Sequence, residues 1–128
     1  MNILIDTQAI IWFAENNNQL SKTARAAIEN DENTCYVSMA SFWEMSIKIN
    51  LGKLTVNGLT LSEFMDEVAE NEFKTLDIQR HHIIENERLP LFHRDPFDRL
   101  IIAQAIADTM AIITSDNLFD AYPITRIW

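Results

Sequence analysis

The chain has 128 residues, of which 48% are hydrophobic and 23% charged, and its formal net charge is −9. This length and composition fit one compact domain and exclude a disordered chain. No apolar run reaches the roughly 18–20 residues that span a bilayer, so we expect no contact with a membrane. One cysteine excludes an internal disulfide, and the excess of acids argues against nucleic-acid binding through a broad basic surface. The opening MNILIDTQ lacks the basic region of a signal peptide, so we expect a cytoplasmic protein.

Strand and helix patterns alternate along the chain. Buried strands are predicted at 2–6, 34–38 and 110–116, with weaker strand patterns at 73–78 and 124–128. Helices are predicted at 7–17, 21–31, 39–50, 62–73, 79–89 and 97–109. This order predicts an α/β fold with a central, mainly parallel sheet flanked by helices, forming a single domain over residues 1–128.

The two most hydrophobic strands both end in aspartate, at Asp6 and Asp116. In parallel sheets the functional crevice lies outside the carboxyl ends of the strands. Each aspartate can also be explained as a cap for the helix or turn that follows it, a role worth about 1 kcal/mol.

The stretch HRDPFDRLIIAQA places Asp95 and Asp98 around a proline at the mouth of an almost wholly apolar helix. Aspartate at the N-cap, proline next and an acid in the first turn make a favourable helix start, which explains Asp95 well. It explains Asp98 less well, because a buried helix brings its first turn to the rim of the core.

Glu44 lies among apolar residues in SFWEMSIKIN. Its spacing from Ser41 is that of a capping box, and its spacing from Lys48 is that of a helical ion pair. A partly buried carboxylate nevertheless needs a partner. Four acids brought to one sheet edge repel one another unless they are protonated or bound to cations, and oxygen ligands alone favour Mg²⁺ or Mn²⁺.

Four segments together resemble the PIN-domain family, and specifically VapC-type toxins of type II toxin–antitoxin systems. They are ILIDTQAIIW, SFWEMSIKINLGKL, HRDPFDRLIIAQA and IITSDNLFDAYPITRIW, which cover essentially the whole chain in the family's order. The resemblance implies a PIN-like fold and a Mg²⁺- or Mn²⁺-dependent endoribonuclease that hydrolyses RNA phosphodiester bonds. It also implies a homodimer and a cognate antitoxin, and the DPFDRLIIAQA form suggests an antitoxin of the Phd/YefM type.

Carried onto this chain, the family's acidic set, which is catalytic and holds the metal, falls on Asp6, Glu44, Asp98 and Asp116, with Asp95 as a further candidate ligand. Candidates for substrate binding are Thr7, Lys48, Arg99 and Ser115, and further candidates to hold the RNA backbone are Lys53, His93 and Arg94.

Other functions remain open at the level of sequence. A haloacid-dehalogenase-type phosphatase needs D-x-D after its first strand, where this chain has Asp6-Thr7-Gln8. A Mg²⁺-binding receiver domain needs paired acids there and a mid-chain phosphoacceptor, for which Asp77 is a poor candidate. A binding module without enzymatic activity would use the acids only as helix caps.

Overall fold

The computed structural model describes residues 1–128 as one sheet with six α-helices and a short 3-10 helix, Asn117–Ala121. The strands are β1 (Asn2–Ile5), β2 (Thr34–Ser38), β3 (Lys74–Leu76), β4 (Ala111–Ile113) and β5 (Arg126–Ile127). The helices are α1 (Thr7–Ala14), α2 (Lys22–Glu29), α3 (Met39–Asn50), α4 (Leu61–Glu70), α5 (Arg80–Arg88) and α6 (Pro96–Asp108).

The strand order across the sheet is β3-β2-β1-β4-β5, and every neighbouring pair is parallel. The fold predicted from the sequence is therefore confirmed. The chain builds outward from β1 through β2 to β3 and then crosses to the other side of β1 for β4. The sheet thus has a topological switch point between β1 and β4, where parallel sheets place their functional crevices.

Apolar side chains of alternating direction divide the interior into two cores, one on each face of the sheet. On β1, Ile3 and Ile5 face a core built with α1, α2, α3 and α4, whereas Leu4 faces a core built mainly with α6. All three side chains are fully buried. A strand buried on both faces explains why the opening residues form a continuous apolar run.

The ends of several elements differ from those predicted. The strand predicted at 110–116 is only Ala111–Ile113, and the tail supplies two residues to β5 at the sheet edge. Helix α6 ends at Thr109, whose φ of 55° closes the helix in the left-handed region. No helix has the length and apolar character required to cross a membrane.

A buried histidine links α5 to α6. The Nδ1 atom of His82 accepts the Gln79 N–H at 3.0 Å, so its Nε2 carries the proton and donates to Asp108 at 2.8 Å. His81 contacts the other oxygen of the same carboxylate at 2.6 Å. Although burial raises it, these histidine hydrogen bonds hold the pKa of Asp108 below its usual value.

We expect Asp108→Ala to lower the free energy of unfolding at pH 7 by about 1–3 kcal/mol, because it leaves the buried His82 donor unpaired. A carboxyl whose folded pKa is lowered contributes stability above its unfolded pKa, near 4, and loses it as the pH falls through the folded value. The deficit measured by urea unfolding should therefore shrink below pH 4. Asp66→Ala, at an exposed position on α4, is the control, and an equal loss in both variants would contradict the role of Asp108.

Candidate metal centre

A polar cleft of about 270 Å³ opens at the switch point, outside the carboxyl ends of β1 and β4. Five carboxylates line it, and Lys48 is the only basic residue that does so. They come from the end of β1, from α3, from the start of α6 and from the turn after β4. The acids are Asp6, Glu44, Asp95, Asp98 and Asp116.

Asp6 both caps α1 and faces the cleft. Its Oδ1 accepts the Ala9 N–H at 2.8 Å, as the cap interpretation of the sequence predicted. The cap uses one of the two carboxylate oxygens. Burial raises the pKa of Asp6 to about 6, against hydrogen bonds from the Thr114 side chain and the Ala9 N–H that lower it. A nearby cation would stabilise the ionised form of this carboxyl and so lower its pKa.

Glu44 carries the least satisfied atom of the cleft. Its Oε2 accepts from Lys48 Nζ at 2.8 Å, which confirms the predicted ion-pair spacing, but its Oε1 is buried and has no hydrogen-bond partner. Leaving a buried charged oxygen unpaired is costly, and a cation in the cleft would satisfy it.

The capping box, one of the alternative explanations that the sequence offered for Glu44, is wrong. Helix α3 begins at Met39, where the Ser38 hydroxyl accepts the Ala40 N–H at 3.0 Å. Ser41 therefore lies inside the helix, and its hydroxyl accepts from the Thr7 hydroxyl at 2.9 Å instead. Glu44 is thereby a mid-helix residue directed at the cleft, with no cap to form.

Asp95 and Asp98 divide the two roles that the sequence predicted for the start of α6. Asp95 is the N-cap, and its Oδ1 accepts both the Phe97 and the Asp98 N–H at 2.9 Å. Burial and the charges of Asp95, Asp6 and Glu44 raise the pKa of Asp98 to about 7, with His93 opposing them. Burial and neighbouring charge together thus make Asp98 the acid of the cleft whose pKa is raised most.

Asp116 uses its two oxygens differently. Its Oδ1 accepts the Leu118 N–H at 3.0 Å and caps the 3-10 helix, whereas its Oδ2 accepts from His93 Nε2 at 2.7 Å. The same nitrogen lies 3.3 Å from Asp98 Oδ2. The sequence named His93 only as a candidate to hold RNA, and nothing in its local pattern places it between two of the acids.

The structure brings three of the four candidate substrate-binding residues to the cleft. Thr7, Lys48 and Ser115 line it. Arg99 does not, because its guanidinium donates to the carbonyls of Leu89, Pro90 and His93. Arg99 therefore supports this loop, away from the cleft where its role in binding substrate was predicted. Two further candidates, Lys53 and Arg94, are exposed and do not line the cleft.

The residues of the cleft fit a hard divalent cation. The donor set consists of carboxylate oxygens, with one buried oxygen unpaired and two acids held at raised pKa values. Mg²⁺ and Mn²⁺ prefer such oxygen ligands, whereas the cleft offers no thiolate for a softer ion. The residues that would hold the cation are Asp6, Glu44, Asp98 and Asp116, with Asp95 beside them.

A parallel sheet with carboxylates converging at its switch point defines an α/β domain with a candidate site for a hard divalent cation. The chain belongs to the PIN-domain family, whose model, described as "PIN domain", matches residues 3–124. No curated protein matches the chain in sequence.

Solved structures similar to this one include VapBC2 from Rickettsia felis bound to a DNA fragment from their promoter. That match has a TM-score of 0.74 and 15% identity, and covers 98% of this chain and 97% of that chain. FitAcB from Neisseria gonorrhoeae matches with a TM-score of 0.65 and 17% identity, covering 97% and 95%. VapBC-1 from nontypeable Haemophilus influenzae matches with a TM-score of 0.67 and 15% identity, covering 98% and 96%. Identities this low show a common fold.

Proposed function

We propose that this protein is a Mg²⁺- or Mn²⁺-dependent endoribonuclease and the toxin of a type II toxin–antitoxin pair. The observation that carries the proposal is the cleft at the switch point of a PIN domain, where four other carboxylates line the same cleft as Glu44, whose buried Oε1 is unpaired. Helix capping does not account for this oxygen, since Glu44 lies within α3.

The caps and the proposed site are compatible. Asp6 and Asp116 each use only Oδ1 to accept the capping backbone N–H, and the Oδ2 of Asp116 accepts from His93 instead. The acids therefore need not be explained by capping or by metal binding exclusively. The first turns of α1 and of the 3-10 helix instead fix the direction of each carboxylate toward the cleft.

In the proposed reaction the chain's own residues hold the cation, orient RNA and accept a proton. A bound divalent cation would neutralise the acids and polarise a phosphodiester oxygen for attack by water. The acids would hold that ion, and one of the carboxylates that line the cleft would accept the proton of the attacking water. Lys48 is half-exposed at the cleft, where the Thr7 and Ser115 side chains also lie, and we propose that it contacts an RNA phosphate.

Partners form the second half of the proposal. The similar structures from Rickettsia felis and Haemophilus influenzae are VapBC assemblies. On this chain α3 and its C-cap expose Trp43, Ile47 and Leu51, which are spaced four residues apart and so form one apolar row. Exposed apolar rows of this kind mark protein contacts, and we propose a cognate antitoxin, of the Phd/YefM type, and a second copy of the chain as partners.

The proposal is tested by incubating the purified protein with a structured RNA in Mg²⁺, Mn²⁺ or EDTA. We expect cleavage with either cation and none in EDTA. Changes beside a metal site already reduce affinity or activity about 10–100-fold, so Asp6→Asn and Asp98→Asn should each reduce the rate by at least about 100-fold. Asp66→Asn, on the exposed face of α4, should cleave at the wild-type rate.

Two results would contradict the proposal. Cleavage that resists EDTA, or that is equal in all variants, would identify a contaminating nuclease. A protein that neither cleaves RNA nor binds Mn²⁺ would leave the acids as helix caps. Folding of each variant is checked by circular dichroism, so that loss of activity is not confused with loss of structure.

A further inference from the structure

His93 lies between two carboxylates that come from different parts of the chain. Asp98 is in the first turn of α6, and Asp116 follows β4. The His93 Nε2 atom is 2.7 Å from Asp116 Oδ2 and 3.3 Å from Asp98 Oδ2. The ring itself is buried and packs edge-to-face on Phe119 at 5.4 Å between centroids.

The hydrogen bonds of the ring determine which nitrogen carries the proton. The Asp95 N–H donates to Nδ1 at 3.2 Å, so Nδ1 is an acceptor. In a neutral imidazole the other nitrogen is then the donor. His93 therefore presents an N–H group to Asp116, with Asp98 Oδ2 close by, rather than a lone pair to a cation, which distinguishes it from a histidine ligand.

The backbone of His93 is fixed on both sides. Its N–H donates to the Tyr122 hydroxyl at 2.8 Å, and that hydroxyl donates to the Pro90 carbonyl at 2.7 Å. Its carbonyl accepts from Arg99 at 3.1 Å, and the same guanidinium donates to Leu89 and Pro90. The backbone of His93 is thus held by hydrogen bonds that do not involve the cleft.

We propose that His93 is a positioning residue, which holds Asp116 through a ring N–H, beside Asp98, in the arrangement that a divalent cation requires. This inference rests on the proposed function, since it assigns a role within the same site. Hydrogen bonds from a second layer of residues orient metal ligands, and their loss typically costs about 10–100-fold in metal affinity. Arg99 and Tyr122 then act on the site only through the position of His93.

The experiment measures Mn²⁺ affinity by electron paramagnetic resonance titration, without RNA and without turnover. We expect His93→Phe, which keeps the ring packing and removes the donor, to weaken Mn²⁺ binding about 10–100-fold. His93→Gln places an amide N–H near the position of Nε2 and should restore affinity to within a few-fold of wild type. A merely structural role would not distinguish these two variants in this direction.

Controls separate this role from general effects of removing a histidine. His81→Phe removes a hydrogen bond of the same kind, to Asp108 and outside the cleft, and should leave Mn²⁺ affinity unchanged. If His93→Phe does not fold, His93→Asn replaces it, because the shorter amide does not reach the carboxylates.

The outcomes distinguish this inference from the proposed function. Wild-type binding that His93→Phe leaves unchanged, or that His93→Gln fails to restore, would overturn the positioning role alone. A strong ¹⁴N coupling to bound Mn²⁺ in pulsed resonance would overturn it too, by making His93 a direct ligand. Absence of Mn²⁺ binding in the wild-type protein would overturn the proposed function and this inference with it.

Discussion

Asp98→Asn is expected to stabilise the protein without a divalent cation and to remove the stabilisation that the cation gives. At pH 7.5 the ionised carboxylate is partly buried near Asp95, Asp6 and Glu44, which raises its pKa to about 7. Asparagine keeps the shape and removes the charge. We expect the free energy of unfolding in EDTA to rise by about 1–3 kcal/mol, which is several degrees in Tm for a domain of this size.

The same variant should no longer respond to Mn²⁺. A ligand at a hundred times its Kd stabilises a folded protein by about 2.7 kcal/mol, and we expect a shift of this order for wild type only. Both quantities come from thermal unfolding scans with EDTA and with Mn²⁺. A lower Tm in EDTA, or a full response to Mn²⁺, would contradict the placement of Asp98 among the ligands.

Asp120→Asn provides a control, because the pKa of Asp120 is shifted in the opposite direction from that of Asp98. Hydrogen bonds from Arg126 hold the pKa of Asp120 below its usual value, at an exposed position outside the cleft. Removing that charge therefore brings no gain in stability without a cation, and the response to Mn²⁺ should equal that of wild type. The comparison separates the loss of a repelled carboxylate from the loss of any carboxylate.

The parts of the site that depend on neighbouring residues were predictable from the sequence. The Asp95-Pro96 start of α6 is a contact within three residues, and its hydrogen bonds are those that the pattern indicates. The convergence of Asp6 and Asp116 follows from two apolar strands that both end in aspartate, because parallel strands bring their carboxyl ends to one edge.

The capping box at Glu44 was wrong for a reason that is also local. Ser38 ends β2 and at once caps α3, so the helix starts earlier than the S-x-x-E spacing suggests. The predicted strand at 34–38 and helix at 39–50 already place Ser41 inside the helix, so the S-x-x-E spacing alone suggested the wrong cap. The error affects the reason given for Glu44 and leaves its place in the cleft unchanged.

The roles of His93 and Arg99 were not predictable in this way. His93 and Asp116 are 23 residues apart, and only the folded sheet brings them together. Arg99 follows Asp98 directly, yet successive helix positions differ by about 100° in direction, so one side chain faces the cleft and the other faces the 89–93 loop. From the sequence, both residues were candidates to bind RNA. The direction in which each side chain points is determined by the tertiary structure.

Mn²⁺ affinity is expected to fall steeply as the pH is lowered, by on the order of 10³-fold from pH 8 to pH 5. The pKa values of Asp98 and Asp6 are raised to about 7 and about 6, so both acids are ionised at pH 8 and both carry a proton at pH 5. A cation must displace those protons to bind. A plot of log affinity against pH should be flat above pH 7, rise with a slope near one between pH 6 and 7, and approach two below pH 6.

Calorimetry in buffers of different ionisation enthalpy counts the same protons directly. Almost none should be released per cation at pH 8, and close to two at pH 5. An affinity independent of pH over this range would show that the cation does not bind these two acids.

The stability of the metal-free protein should rise, while Mn²⁺ affinity falls, as the pH is lowered from about 7 to about 4. A carboxyl whose folded pKa is raised keeps its proton in the folded state at pH values where the unfolded chain has released it. The contribution of Asp6 and Asp98 to stability therefore rises as the pH falls from about 7 to about 4. Weaker Mn²⁺ binding together with a more stable metal-free protein at pH 5 would exclude acid unfolding as the cause of lost affinity, because unfolding would lower both quantities together.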